Sequence, residues 1–225
     1  MKKSLINQGI SFFWLVFRLN LLFALSNVVL IGAILVLILH WFTLPVYVVG
    51  IFLLVASLQG LFSTIKQREK LEKISLTRLY IKCYREEFKG SIGFAWGYVL
   101  VAALLLGSYA GLWAVPGQFV FLPLYMVLLI LLYVHFVFGL LVRAYFIINV
   151  VGSWRLGFYC ISKYPLRALF ILGGTFVMGG LILFFHQLII LGILPVAVYL
   201  LSVTSEKMLE KIAILLKVNR SEEGR

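Results

Sequence analysis

Lys66-Gln-Arg-Glu-Lys-Leu-Glu-Lys-Ile-Ser-Leu-Thr-Arg-Leu-Tyr-Ile-Lys-Cys-Tyr-Arg-Glu-Glu-Phe-Lys89 is the one long polar interval in an otherwise apolar chain. It carries eight basic and four acidic residues, and the apolar runs on either side are long enough to cross a bilayer. Through Lys73 it reads as a solvated connection, after which Ser75 or Thr77 can cap a new helix. From there Leu76, Tyr80, Cys83, Tyr84 and Phe88 recur at helical spacing, while Arg78, Lys82, Arg85 and Glu86 fall largely elsewhere on the wheel. The pattern predicts an amphipathic helix lying in the cytoplasmic interface over segment 66–89, ended by Gly90-Ser91.

The composition around this landmark excludes a water-soluble domain. Of 225 residues, 63% are hydrophobic and 12% charged, and mean hydropathy is +1.09, whereas a soluble domain carries about a quarter charged residues. A spanning helix needs about 20 apolar residues, so the expected fold is a single all-α polytopic membrane helix bundle covering residues 1–225. Six spans are predicted, at about 19–39, 46–65, 92–115, 119–141, 168–184 and 188–203. The last two come from one apolar run, about Ala168 to Val203, which as a single helix would reach about 54 Å against a hydrocarbon core of about 30 Å. It must fold back, most naturally near Phe185-His186-Gln187. At the start, Met1-Lys2-Lys3 followed by apolar residues invites a signal-peptide reading. Arg18 and Asn20 interrupt that run and no Ala-x-Ala site follows, so an uncleaved first helix is expected, its Trp14 and Arg18 at headgroup depth.

Charge placement sets the expected orientation. The 20 basic residues fall at the amino end (Lys2, Lys3, Arg18), in Lys66–Lys89, between Arg143 and Arg167, and in the tail from Ser205. With six spans every one lies on the same face, so both termini are predicted to be cytoplasmic. The net charge of +12 then belongs to anionic headgroups and the positive-inside rule, and no nucleic-acid partner is expected. Cys83 and Cys160 both fall on that face, where thiols stay reduced.

Few residues offer chemistry inside the membrane, where ionisable groups default to a functional hypothesis. His135 is the one titratable residue well inside a predicted span. As a functional group it would hold a proton or ligand; as a structural one it makes an interhelical hydrogen bond, the favoured reading because no carboxylate shares the membrane with it. Asn20 and Asn27 on the first helix and Gln59 on the second are read as polar ties between helices before they are read as ligand groups. His40 and His186 sit at predicted external turns without a third ligand, so no metal is expected. Gly93 with Gly97, Gly107 with Gly111, and Gly173-Gly174 with Gly179-Gly180 mark places where helices can approach closely. The chain has no Asp, no Walker loop, no GxSxG, HExxH or CxxC, and no paired carboxylates. No cofactor is expected and an enzyme is disfavoured.

Two stretches resemble a known family. Gly50-Ile-Phe-Leu-Leu-Val-Ala-Ser-Leu58, followed by Lys66, is similar to a Gly-Ile-Phe-Pro-Ala-Thr-Ala-Ala-Leu run of the YesL family, small bacterial membrane proteins of undefined biochemical activity. Tyr84-Arg-Glu-Glu-Phe-Lys-Gly-Ser91 is similar to that family's aromatic, basic, Glu-Phe, basic, Ser/Asn run. Asn20-Leu-Leu-Phe and Tyr164-Pro-Leu166 are weaker echoes, and Leu53-Leu-Val55 departs from the family's Pro-Ala-Thr. The resemblance implies a multi-pass protein of a bacterial cell membrane and an accessory role in carbohydrate uptake or utilisation. Its implied partner is a carbohydrate ABC transporter or another membrane protein, beside the lipid bilayer itself; a homo-oligomer is compatible. On the residues, docking is expected through the interfacial helix, at Tyr80, Lys82, Tyr84, Arg85 and Phe88. The alternative is a small-solute carrier or channel with a pathway lined by Asn20, Asn27, Gln59 and His135.

Overall fold

The computed structural model describes the backbone of residues 5–37, 40, 42–67, 75–114, 118–146, 148–184 and 193–222. Among these the protein is all-α, with no strand. The helices are α1 (Leu5–Ser26), α2 (Val28–Val36), α3 (Leu44–Lys66), α4 (Leu76–Ala114), α5 (Leu122–Tyr145), α6 (Val150–Lys163), α7 (Pro165–Phe184) and α8 (Ile193–Glu222), with a 3-10 turn at Gln118–Phe121 before α5. Three of them, α3, α4 and α5, are long and apolar enough to cross a membrane, and a fourth span is added if α1 and α2 count as one. Pro165–Val177 is a shorter apolar helix.

Four departures from the sequence reading carry physical information. The first predicted span, 19–39, is broken: α1 and α2 meet at 70° across Asn27. Asn27 holds the bend by donating from its amide to the Phe23 carbonyl at 2.8 Å and to Ser57 Oγ of α3 at 2.7 Å. Second, Gly90-Ser91 does not break the chain. The amphipathic stretch and the third span are one continuous α4 of 39 residues, about 58 Å long. Gly90 stays helical because its missing side chain makes room for the Arg143 guanidinium, which a Cβ there would strike.

Third, the connection expected between Arg143 and Arg167 contains a helix, α6. Asn149 caps it, its side chain accepting from the Gly152 N–H at 2.8 Å. Fourth, the tail from Ser205, which the sequence allows as a charged helix or a disordered end, is helical and continuous with the last predicted span in α8, where Met208, Leu209 and Ile212 are buried. Glu206, Lys207, Glu210 and Lys211 occupy its other face, so the charged tail is the amphipathic end of a packed helix. The turn proposed at Phe185-His186-Gln187 lies outside the described residues.

The core gathers at one end of the bundle. Residues 55–65 of α3, 134–144 of α5 and most of 76–98 on the inner face of α4 are buried, joined by Cys160, Ile171 and Val198. Towards the opposite end the same helices lose their neighbours, leaving Leu100, Leu104, Leu106, Val120, Leu124 and Val127 exposed. The glycines follow this division. A Cβ on Gly97 would strike Trp154, and one on Gly139 would lie 2.5 Å from Phe94, whereas Gly107, Gly111, Gly173 and Gly174 have nothing within 4 Å. Gly97→Leu and Gly139→Leu should therefore each lower stability in detergent by about 1–3 kcal/mol through overpacking. Gly107→Leu should stay within about 0.5 kcal/mol of the parent; thermal unfolding of the purified variants checks the contrast.

Candidate functional site

Two clusters form around Asn27 and His135, two of the polar residues singled out in the sequence. The first is built where α1, α3 and α4 meet. Gly60 of α3 lets α4 come close, a Cβ there sitting 3.4 Å from the Tyr84 Cα. Tyr80, only 2% exposed, reaches across this contact with its hydroxyl 3.1 Å from Ser26 Oγ, next to the bend that Asn27 ties to Ser57. Gln67 adds a weak contact to Cys83 at 3.5 Å. The aromatic face expected to meet lipid or a partner is therefore turned inward. Leu76, Tyr80 and Cys83 are buried and Tyr84 and Phe88 half-buried, the stripe packing against α3 of the same chain around Gly60. The residues left outside are Arg78, Ile81, Lys82, Arg85, Glu86 and Lys89. Lys82 and Glu86 form an exposed pair at 3.8 Å, a spacing that contributes little in water.

The second cluster joins α4, α5 and α6. His135 Nε2 lies 2.9 Å from the Trp154 carbonyl and Nδ1 lies 2.6 Å from the Tyr98 hydroxyl. A carbonyl only accepts, so Nε2 carries the proton, and a neutral ring then accepts from Tyr98 through Nδ1. Phe158 packs at 4.0 Å between ring centroids, and Trp154 meets both His135 and Tyr98. Gly157 provides the space, since its Cβ would come within 2.9 Å of Nε2. With both ring nitrogens engaged, His135 fastens three helices, which is the interhelical bond read from the sequence.

Two further features were not anticipated. Arg143 is a core residue, with a side chain 6% exposed, 3.4 Å from Glu87 and stacked over Phe94. Burial pushes the Glu87 carboxyl above its ordinary range, while Arg143 and, more weakly, Lys66 pull it down. Gln59 is fully buried with neither amide atom hydrogen-bonded, and Ser63, one turn on, is buried with its hydroxyl also unpartnered. Both share the α3 stripe between Phe52, which packs on Trp96, and Lys66, which donates to the Tyr145 carbonyl at 2.6 Å.

The four intramembrane candidates thus do not make one site. Asn27 belongs to the α1–α3 contact, His135 to the second cluster, Gln59 to a separate face of α3, and Asn20 is half-buried on α1 with interactions inside the chain. None of them lines the cleft of about 200 Å³ bounded by Arg167, Phe170, Ile171, Leu201, Thr204 and Ser205, or the shallow groove of about 330 Å³ at Arg78, Ile81, Lys82, Arg85 and Glu86. Among the described residues no three His, Cys, Asp or Glu side chains gather to hold a metal. The missed partners Tyr98 and Trp154 had one signal, the Gly93–Gly97 pair beside them; Arg143 had none, its environment being set by a distant helix.

Compared with family profiles, curated proteins and solved structures, the chain matches none. Removing the second cluster's bonds gives a direct test of its role. Tyr98→Phe and His135→Ala should both destabilise, with about 0.6–2 kcal/mol assignable to the hydrogen bond. In a double-mutant cycle the combined loss should fall short of the sum, read from unfolding in detergent.

Proposed function

We propose that this chain is a non-enzymatic accessory protein of a bacterial cell membrane, whose docking surface is the exposed basic face of α4. Six apolar segments enter the bilayer and both termini face the cytoplasm, an arrangement supported by the confinement of all 20 basic residues to segments that then share one side. The observation that carries the docking reading is the division of α4. Its aromatic stripe is spent on α3, while Arg78, Ile81, Lys82, Arg85 and Glu86 line an open shallow groove in which the basic residues outnumber the one carboxylate. A partner presenting carboxylates around an apolar contact fits that surface, since charge complementarity sets register and encounter rate. The resemblance to the YesL family extends the proposal to a carbohydrate ABC transporter or another membrane protein of carbohydrate utilisation.

The second reading, a carrier or channel for a sugar or other small solute, draws on one observation: the buried, unpartnered Gln59 amide and Ser63 hydroxyl on a single α3 face. Buried polar groups without partners cost about 1–3 kcal/mol each, and a hydroxyl-bearing solute or water would satisfy them. His135 supports it less, being fully engaged with Tyr98 and Trp154.

Two measurements separate the readings. Pull-down from native membranes in mild detergent should recover a stoichiometric membrane partner, and Lys82→Glu with Arg85→Glu should lose it while thermal stability stays within about 0.5 kcal/mol of the parent. Recovery of no partner would overturn the docking reading. Purified protein in liposomes should be impermeable to a panel of sugars; flux that falls on Gln59→Leu would favour the carrier.

A further inference from the structure

We infer that α2 and α3 form a re-entrant hairpin, entering the bilayer from the charged side and turning back between the end of α2 and the start of α3, inside the hydrocarbon, without crossing. The inference rests on the reading above that the charged segments share one aqueous face. It comes from the register of the helices. Phe52 of α3 stacks against Trp96 of α4 at 4.9 Å between centroids, and Gly60 abuts Tyr84. In the antiparallel pair these contacts set Gly90 level with about residue 56 of α3, and Leu44 level with about residue 102 of α4. On the other side, Leu30 of α2 packs on Gly50 and Asn27 bonds Ser57, so α2 shares the same short stretch. From the Gly90 level to its start, α3 rises about 18 Å, whereas α4 from Gly90 to Ala114 rises about 36 Å.

Only one of these distances matches a hydrocarbon core of about 30 Å. If the start of α3 lay at the far headgroups, the end of α4 would stand about 18 Å beyond them, with Leu104, Leu106, Val120, Phe121 and Leu124 exposed to water. The near boundary would then fall around Thr64, drawing the exposed Lys82, Arg85 and Lys89 into hydrocarbon at up to about 3 kcal/mol each. Starting the bilayer at Gly90 removes both penalties. It leaves the start of α3 about 12 Å short of the far side.

The described residues of the turn find polar partners within the chain. Non-helical backbone in hydrocarbon needs its polar groups satisfied within the protein. The His40 N–H donates to Thr43 Oγ1 at 2.9 Å, Thr43 Oγ1 donates back to the His40 carbonyl at 2.8 Å, and the Leu44 N–H donates to the same carbonyl at 3.0 Å. Tyr47 brings its hydroxyl within 2.6 Å of the Leu37 carbonyl and 3.1 Å of the Ala33 carbonyl, covering the end of α2. At the other end, the 70° bend falls at Asn27, beside Ser57 and hence at the Gly90 level. α1 therefore leaves the hairpin along the interface, where its exposed Phe12, Phe13, Trp14 and Phe17 suit the headgroup boundary.

The test is a depth measurement in proteoliposomes by spin-label collision with oxygen and with a water-soluble nickel chelate. Labels go on Phe42→Cys and Val120→Cys, both at exposed positions, and on Arg85→Cys, against the unsubstituted protein as blank. The hairpin predicts that site 42 lies about 12–18 Å below the headgroups, oxygen-accessible and shielded from nickel, while site 120 is shallow. Site 42 at headgroup depth, matching site 120, would overturn it. Should Phe42→Cys fail to fold, Leu44→Cys gives the same readout. Site 85 reports separately on the shared aqueous face: shielding from nickel there would refute that reading, whatever the depth at site 42.

Discussion

The contact between α3 and α4 is the constraint on which the rest of the structure depends. It is close because Gly60 has no side chain opposite Tyr84, and long because α4 does not stop at Gly90. Its consequences run in both directions along the chain. Towards the amino end it places Tyr80 against Ser26 and fixes the Asn27 bend through Ser57. Towards the carboxyl end it presents Phe94 and Tyr98 to α5 and α6, where they meet Gly139, Arg143 and His135. In lipid, apolar surface gains little by leaving apolar solvent, so small residues and polar ties decide which helices touch. The α3–α4–α5 junction has both.

The same contact decides what remains available for function. An amphipathic helix isolated from its chain would lay its aromatic stripe on the bilayer. Here α3 takes that stripe, and a predominantly basic face, with Glu86 paired to Lys82 on it, is offered outward. A helix face with Arg78, Lys82, Arg85 and Lys89 spaced along it, interrupted by Ile81, has an electrostatic character suited to an acidic surface.

Much of this was legible in the sequence, for identifiable reasons. Hydropathy located α3, α5 and α7 to within a few residues, since apolar runs of membrane length have few alternatives. The period-3.6 pattern over Leu76–Phe88 gave the helical conformation and the two faces, but the expected separate interfacial helix is the first part of the continuous α4. What it could not give was the destination of the apolar face, because periodicity distinguishes buried from exposed but not one buried surface from another. Gly90-Ser91 misled for a related reason: one glycine disfavours a helix by only about 1 kcal/mol, and the space it leaves is filled by the Arg143 guanidinium of another helix. The role of His135 was anticipated, but Tyr98 and Trp154 lie 37 and 19 residues away in the chain, and no local pattern links them. The end of α8 was masked by its charges, which occupy one face and hide the Met208, Leu209 and Ile212 stripe behind them.

The central claim is that α4 is one helix whose aromatic side is clamped to α3 and whose basic side is free. A cysteine-reactivity scan across positions 76–89 in native membranes, using a water-soluble maleimide from the charged face, addresses it most directly. The account predicts fast labelling at 78, 81, 82, 85 and 89 and strong protection at 76, 79, 80 and 83, a helical period carried without interruption into Gly90. Uniform reactivity, or labelling of position 80 as fast as position 82, would contradict it.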